Sequence, residues 1–270
     1  MTATLTPPTT TTAPGLSPRR VRRKWPGPAI GAAAWLVAAV LALAVWEAVS
    51  RASGQWVPSV SEIADSLTTV LSGPQLLDDG LVTLRRVALV TAASVLGGTV
   101  IGLAAGFCWP LRAFLRPILV IGLAVPDLVY IIMAILILGA TETSGMVAIT
   151  VAIVPLVANV VIAAVTDRDT SLDEMAATYR FGRWDYARHV LLDQLKPAMA
   201  AAVRTGFAFS WKLVVLMETI TTPDGIGARI YEAFRFLRPQ DMIAYALVFI
   251  VVMKFVEWVI VLPLRPSARR

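Results

Sequence analysis

The chain has 270 residues, of which 57% are hydrophobic, and it carries a net charge of +6 at neutral pH. Its apolar residues come in long runs, and since about 20 apolar residues span a bilayer, the composition favours a polytopic membrane protein over a large soluble core. A single cysteine, Cys108, excludes an internal disulfide, and with His189 as the one histidine a zinc site has too few ligands. The positive charge indicates basic cytoplasmic loops rather than a nucleic-acid partner.

The N-terminal segment, residues 1–28, is rich in Thr, Pro and Ala and contains a cluster of five basic residues near its end. It has no hydrophobic period, which predicts a disordered cytoplasmic tail. The apolar run from about residue 29 to 49 lacks the cleavage site of a signal peptide, so we predict the first membrane span there. Residues 50–80 are polar and turn-rich, with a short helix predicted from Ser59 to Leu71.

The second predicted span, about residues 81–109, carries a glycine at every fourth position. Such a stripe lets another helix approach closely, and we expect it to pack within this chain, with a subunit interface as the alternative. The glycines are Gly98, Gly102 and Gly106. A short basic loop with Arg112 and Arg116 is predicted to follow. The third span is predicted at about residues 117–139, where Pro126 removes a backbone hydrogen bond.

A polar loop, residues 167–197, follows a fourth span predicted at about residues 146–165, and eleven of its side chains are charged. Ser171 and Glu174, three apart, fit a capping box at the start of a short helix. Gly182 fits the end of that helix, because glycine adopts positive φ without strain. A second short helix follows. Pro197 is expected in the first turn of the fifth span, where proline is tolerated.

The fifth and sixth spans are predicted at about residues 198–220 and 241–263, with an outer loop between them and a short tail, residues 265–270, at the end. If the N-terminus is cytoplasmic, six spans put both termini and the polar loop on the cytoplasmic side. Fifteen Lys and Arg residues then lie inside, six lie outside and three lie within spans. Because cytoplasmic loops are enriched in Lys and Arg, this distribution favours that orientation.

Several stretches resemble the permease subunits of binding-protein-dependent ABC importers, in the branch associated with nitrate, taurine and alkanesulfonates. The polar loop, with Glu174-Met175-Ala176-Ala177, Arg183-Trp184 and Pro197, resembles the EAA loop of that family. Residues 56–63 resemble the stretch after its first span. Residues 208–218 resemble its Ala-Trp-Lys-Val-Val-x-x-Glu stretch, and residues 225–227 its Gly-Ile-Gly.

The resemblance implies an all-α fold: a type I ABC importer permease of about six transmembrane helices with a cytoplasmic coupling loop. Residues 29–264 would form the permease domain, and residues 171–196 would sit in a cleft on an ATPase subunit. The coupling residues implied by the match are Glu174, Met175, Ala176, Ala177, Tyr179, Arg180, Gly182, Arg183, Trp184 and Pro197.

The same resemblance implies the partners and the location. These are two ATP-binding subunits, a second permease chain of the same or a paralogous kind, and an extracytoplasmic solute-binding protein, in the cell membrane. No cofactor is expected in this chain, with ATP and Mg in the ATPase. The loop departs from the family pattern, because the family's glycine aligns with Arg180 and its first proline with Asp193. That departure suggests one member of an unequal permease pair.

Ionisable side chains within the predicted spans are further candidates for function. Lys254 and Glu257, three apart on one helix, are expected to neutralise each other. Lys212 lies about 21 Å into its span and Asp127 about 15 Å into its own, so the two are able to pair across helices. We expect both to border the translocation path, with a buried structural pair as the alternative. Glu218, nearer the outer end, is a third candidate.

Other functions have weaker support in the sequence. No Gly-x-x-x-x-Gly-Lys-Ser/Thr motif occurs, so ATP hydrolysis is expected in a partner. His189 lies on the polar loop without a nucleophile and acid beside it, which argues against a hydrolytic triad. An ion-gradient-driven secondary transporter is the alternative function, and it predicts an inverted repeat and acidic pairs at mid-membrane. We find one such acid, Asp127, and no repeat.

Overall fold

A computed structural model describes residues 28–261, so the predictions for most of the N-terminal tail and for residues 265–270 lie outside the described residues. Every regular element in the described range is helical, which confirms the all-α fold. A 3-10 turn lies at Gly54–Trp56 and a π turn at Ala187–Leu191. The α-helices are α1 Pro28–Ser53, α2 Val60–Ser72, α3 Gln75–Phe107, α4 Trp109–Ala124, α5 Asp127–Leu138, α6 Glu142–Thr166, α7 Thr170–Thr178, α8 Arg183–Tyr186, α9 Leu192–Thr221, α10 Ile226–Arg235 and α11 Pro239–Val261.

The chain divides into two compact units between Trp46 and Glu47, inside α1. The described part of the first unit is the beginning of α1, an apolar segment that belongs to a candidate membrane span. The second unit holds α2 to α11. Its packing positions the candidate site, and the contacts given below all lie within it.

Five helical stretches in the described range are long and apolar enough to cross a membrane: α1, α3, α6, α9 together with α8 and the π turn before it, and α11. Helices α4 and α5 pass the same test together but bend by 96°, which makes six if the pair is one broken span. About six spans are therefore confirmed, and the third of them, predicted at about residues 117–139, is sharply bent at Pro126. Val125 leaves the helix (φ −73°, ψ 128°) because the following Pro126 disfavours helical backbone before it.

Two boundary predictions are wrong. Arg112 and Arg116 lie inside α4 rather than in a loop, and the Arg112 guanidinium donates hydrogen bonds to the carbonyls of Ala105 (3.0 Å) and Gly106. These carbonyls belong to the last turn of α3 and have no partner within the helix, so Arg112 caps it. Pro197 lies in the interior of α9 rather than in its first turn, because the helix already begins at Leu192.

Two of the segments between spans contain the shorter helices α2 and α10. Helix α2 confirms the predicted short helix: the Ser59 hydroxyl accepts from the Glu62 amide (3.2 Å), and the Glu62 carboxylate accepts from the Ser59 amide (2.8 Å). This reciprocal pair is a capping box. Ser66 on α2 donates to Asp241 at the start of α11 (2.6 Å). The predicted loop at residues 221–240 contains α10.

The core forms where α3, α6 and α9 pack together. A Cβ placed on Gly98, on Gly102 or on Gly106 would lie 2.5–2.7 Å from the Cβ of Val157, Val161 or Val165, in that order. Both series advance by four residues, so α3 and α6 run parallel with their backbones in close contact. The expected packing of the glycine stripe within this chain is confirmed. Because lipid is as apolar as these side chains, close packing rather than hydrophobic burial holds the helices together.

Gly106→Ala is expected to destabilise the folded chain by about 1–3 kcal/mol, because its new methyl group would overlap the Val165 side chain. Gly80→Ala on the same helix is the matched control, since a Cβ there meets nothing within 4 Å. The control should be neutral or stabilising by up to about 1 kcal/mol, from helix propensity. Thermal unfolding of the purified chain in detergent measures both, and equal effects of the two variants would contradict the packing argument.

Candidate functional site

The first helix of the polar loop, α7, starts at Thr170 with Asp169 as its N-cap. The Asp169 carboxylate accepts a hydrogen bond from the Ser171 amide (2.9 Å), and hydrogen bonding by the Ser171 hydroxyl and by this amide lowers the pKa of Asp169. The predicted capping box of Ser171 with Glu174 is therefore wrong. Asp169 lies two residues before Ser171 and presents a charged acceptor to the amides of the first turn. A carboxylate is favoured at this position because the start of a helix carries a partial positive charge.

Helix α7 ends at a residue with left-handed backbone, which is Arg180 (φ 52°) rather than the expected Gly182. The Phe181 amide donates to the Ala176 carbonyl (2.9 Å) and the Arg180 amide to the Ala177 carbonyl (3.1 Å), the two bonds of a Schellman motif. Gly182 has φ −60° and caps the start of α8 instead. The aligned family glycine falls on Arg180, the position whose backbone requires positive φ.

The loop exposes large apolar side chains on a polar segment. Tyr179 is 73% exposed and Trp184 is 75% exposed, with Met175 and Phe181 partly exposed beside them in sequence. Ala176 is buried and anchors the opposite side of α7. The structure thus presents most of the predicted coupling residues at the surface, and sequence reasoning missed Phe181. The other exposed members of that set are Glu174, Ala177, Arg180, Gly182, Arg183 and Pro197.

The loop is braced against the ends of the spans by Arg168. Its guanidinium donates to the Val165 carbonyl at the end of α6 (2.7 Å), pairs with Asp173 on α7 (3.1 Å) and lies 5.3 Å from the Phe107 ring centroid at the end of α3. The Tyr186 hydroxyl donates to the same Asp173 (2.8 Å). These contacts position α7 relative to α3 and α6. The sequence carried no periodic signal for them.

A second brace joins the loop to the start of α9. The Asp169 amide donates to the side-chain oxygen of Gln194 (2.8 Å), across 25 residues of sequence. Between α8 and α9 the chain makes the π turn that contains His189, whose side chain is exposed. Such turns are uncommon in helices and occur often at functional positions.

At the other end of the same spans, a buried ion cluster surrounds Arg86. The Arg86 side chain on α3 is 1% exposed, and it donates to the carboxylates of Glu218 on α9 (2.8 Å), Asp224 (2.7 Å) and Glu142 at the start of α6 (3.1 Å). Glu218 is fully buried. Removing two such charges from water costs several kcal/mol per ion, so the geometry must be well satisfied for the pair to persist. Arg85 on α3 adds a second ion pair with Glu142.

The cluster continues into the segment between α9 and α10. Asp224 accepts from Arg86, and this hydrogen bond holds the pKa of Asp224 below its ordinary value, so the residue is charged at neutral pH. Gly225 has φ 99°, and a Cβ there would lie 2.5 Å from the Glu218 carboxylate. Only glycine fits this position. The Gly-Ile-Gly stretch identified from the sequence therefore wraps around Glu218.

The expected pair of Asp127 with Lys212 is absent among the ion pairs of residues 28–261. Asp127 is the first residue of α5, and Lys212 is exposed on α9 with its ammonium 5.7 Å from the Trp211 ring centroid. The 96° bend at Pro126 redirects α5, so a count of residues along a straight span does not give the position of Asp127. Glu218 lies in the buried cluster rather than beside an open path. Lys254 pairs with Glu257 as expected (2.7 Å).

The partner of Glu218 is missed because the count of Lys and Arg assigns Arg86, with Arg85, to the outer end of a span expected to begin at about residue 81. Helix α3 begins at Gln75, six residues earlier, so Arg86 lies well inside the helix and in the core. Arg204, one of the three basic residues within the predicted spans, pairs with Glu257 (3.4 Å) and stays exposed. A buried acid at Glu218 was itself a usable signal, since such groups require a partner.

A family model described as a binding-protein-dependent transport system inner membrane component matches residues 98–262. The chain belongs to this family. It is a membrane-spanning permease subunit of an ABC importer, which works with ATPase and binding-protein partners and is not itself catalytic. The multi-pass fold and this family place the permease in the inner membrane, and they favour it over the ion-gradient alternative.

Curated relatives and solved structures agree with this assignment. The permease is 28% identical to the taurine transport system permease protein of Escherichia coli (strain K12), over 94% of each chain. It is 23% identical to the nitrate import permease protein of Synechococcus elongatus, over 74% of this chain and 76% of the other. A putative aliphatic sulfonates transport permease protein of Bacillus subtilis (strain 168) is 25% identical over 80% of this chain and 79% of the other.

Two solved structures share the fold. A crystal structure of an amino acid ABC transporter with histidines matches with a TM-score of 0.60 and 19% identity, over 74% of this permease and 97% of that chain. An inward-facing methionine ABC transporter matches with a TM-score of 0.54 and 17% identity, over 72% of this permease and all of that chain. At these identities the match concerns the fold alone, and it confirms the type I permease architecture.

Arg180→Gly is expected to stabilise the folded permease by about 1 kcal/mol, because glycine removes the steric cost of left-handed backbone. Leu237→Gly is the matched variant at the end of α10, where Leu237 has φ 53° and the helix ends with the same pair of hydrogen bonds. Chemical denaturation of the chain in detergent measures both. A loss of stability in both variants would show that the Arg180 and Leu237 side chains stabilise the fold by more than their left-handed backbone destabilises it.

Proposed function

We propose that the permease couples to its ATPase partners through residues 171–196, with the exposed face of α7, α8 and the turn between them as the contact surface. The observation that carries this proposal is the pair of exposed aromatic side chains, Tyr179 and Trp184, on a segment otherwise rich in charge. Exposed apolar groups on a polar segment are typical of protein interfaces, where Trp and Tyr contribute most.

The braces give such a contact a mechanical consequence. Arg168 joins α7 to the ends of α3 and α6, and Gln194 joins the start of α7 to α9. A movement of the ATPase surface therefore acts on three packed spans together. Both termini and this loop lie on the cytoplasmic side in our proposal, which the distribution of Lys and Arg supports.

The assembly that we propose contains two ATP-binding subunits, two permease chains and an extracytoplasmic solute-binding protein. ATP and Mg bind in the ATPase subunits. The five to six spans described here form half of the translocation path, and a second permease chain supplies the other half. Arg180 in place of the family's loop glycine supports an unequal pair, in which a paralogous chain carries the less altered loop.

We propose that the solute carries an anionic group. Lys212 is exposed on α9 and makes no ion pair among the described residues, so its charge is free to attract an anion. The names of the relatives are consistent with this class, since nitrate and sulfonates are anions. In this proposal Lys212 borders the translocation path together with Asp127, whereas Glu218 supports the path from within the buried cluster.

Trp184→Ala is expected to weaken the binding of the ATPase subunit about 30-fold, because a central Trp in an interface contributes about 2 kcal/mol. Trp56→Ala is the matched control: Trp56 is 80% exposed, and the proposed orientation places it on the opposite side of the membrane. Intact-complex mass spectrometry of the tagged permease from its own host measures ATPase retention and also identifies the second permease chain. Equal retention in both variants would exclude Trp184 from the coupling surface.

Lys212→Met is expected to lower solute uptake by about fivefold or more, since it removes one attractive charge of about 1 kcal/mol from the path. Uptake is measured in proteoliposomes that contain the complete complex, with taurine, nitrate and methanesulfonate as probes. Lys254→Met is the control, because Lys254 is equally a span lysine but pairs with Glu257. Unchanged uptake in Lys212→Met would remove Lys212 from the path, and uptake of none of the probes by the parent would contradict the proposed solute class.

A further inference from the structure

The segment between α9 and the end of α10, residues 222–235, is fastened to the spans by buried side chains. We call it the outer segment. Arg86 makes two of the contacts: one terminal nitrogen donates to the Asp224 carbonyl (3.0 Å) and the other to the Asp224 carboxylate (2.7 Å). The same guanidinium holds Glu218 on α9 and Glu142 on α6. One side chain on α3 therefore joins two other spans and the outer segment.

Three successive backbone amides of the outer segment donate hydrogen bonds to side chains of the spans. The Gly225 amide donates to Asp79 on α3 (3.0 Å), the Ile226 amide to the Thr83 hydroxyl on α3 (2.9 Å) and the Gly227 amide to Glu218 on α9 (2.9 Å). These amides belong to the first turn of α10 and its cap, where no partner exists within the helix. The start of α10 is thus completed by residues of two spans.

Two further contacts close the arrangement. The Thr83 hydroxyl donates to the Glu218 carboxylate (3.0 Å), so the side chain that receives an α10 amide also holds the buried acid. Arg229, one turn into α10, pairs with Asp79 (2.6 Å). Asp79, Thr83 and Glu218 each accept a hydrogen bond from α10 or its cap, and each also makes a second contact of this set. Separation of the outer segment would break several of these bonds together.

The burial of the cluster decides how the outer segment moves. The side chains of Arg86 and Glu218 are 1% and 0% exposed, and a buried charge that loses its partner is strongly disfavoured. If the outer segment moved away alone, Arg86 would lose both of its bonds to Asp224 while remaining in the core. Packed, bistable interfaces move as units rather than by continuous deformation, so the segment follows the spans.

We propose that Arg86 is a positioning residue for transport: it fastens the outer segment to α3, α6 and α9, so that α10 moves with these spans as one body during the transport cycle. Arg168 braces α7 at the opposite end of α3 and α6, about 37 Å away at 1.5 Å per residue of α6. The coupling loop and α10 are therefore attached to the two ends of the same three helices. The inference needs the permease assignment alone and does not depend on which residues contact the ATPase.

The experiment measures the distance between α3 and α10 by pulsed electron spin resonance. Spin labels are attached at Leu89→Cys on α3 and Tyr231→Cys on α10, both exposed positions, after replacement of the single native cysteine, Cys108, by serine. The complete complex is examined without nucleotide and after trapping with ADP and vanadate. The proposal predicts one narrow distance distribution at the same position in both states. A shift of the distribution on trapping would overturn it.

Arg86→Lys tests the role of the guanidinium itself. Lysine keeps the charge that Glu218 requires but cannot reproduce the forked donation to Asp224, so the distance distribution should broaden. Lys254→Met, which removes an ion pair within one helix, is the control and should leave the distribution narrow. A narrow distribution in Arg86→Lys, like that of the parent, would overturn the proposal.

A second variant keeps the test decisive if Arg86→Lys fails to assemble. Asp224→Asn removes one exposed charge, since Asp224 is 51% exposed, and leaves the buried pair of Arg86 with Glu218 in place. It should also broaden the distribution, and no broadening would contradict the proposal. In the variant that assembles, ATP hydrolysis should stay within about twofold of the parent while uptake per ATP falls about fivefold. Equal uptake per ATP in variant and parent would count against a positioning role.

Discussion

The strongest constraint on this permease is a buried ion pair. The guanidinium of Arg86 and the carboxylate of Glu218 are both withdrawn from water. Neither charge is tolerable alone in an apolar interior, so the helices that carry them must stay together. Their other hydrogen bonds go to Asp224, Glu142, Thr83 and a backbone amide at the start of α10, and the buried Arg86 Nε has no partner among the described residues. The pair thereby determines the relative positions of α3, α6, α9 and the outer segment, and it explains why glycine follows Asp224.

Close backbone packing extends this constraint across the membrane. The glycine stripe of α3 meets the valines of α6 over its whole length, down to Gly106 against Val165. Just beyond that point, Arg168 binds the end of α6 and Asp173 on α7, the first helix of the polar loop. The loop and α10 are thus attached to opposite ends of one packed group.

Family membership and the structure contribute different parts of the functional conclusion. The family model and the curated relatives establish a permease of an ABC importer, and the solved structures establish its fold. The structure adds where the exposed aromatic groups lie, how the loop is braced and which charges are buried.

The sequence by itself determined the all-α membrane class, the approximate spans, the glycine contact of α3 and the surface loop, since each is read from local hydropathy, spacing or motif. Lys254 with Glu257 was predictable for the same reason, as both lie on one helical face. Only the tertiary structure decided that Arg86 meets Glu218, that Asp127 and Lys212 do not meet, and that Arg180 rather than Gly182 ends α7. These outcomes depend on where α3 begins, on the 96° bend at Pro126 and on competing caps. Such features arise from contacts between residues that are distant in sequence, or from competition between local signals of similar strength. Hydrophobic periodicity does not show which of these signals prevails.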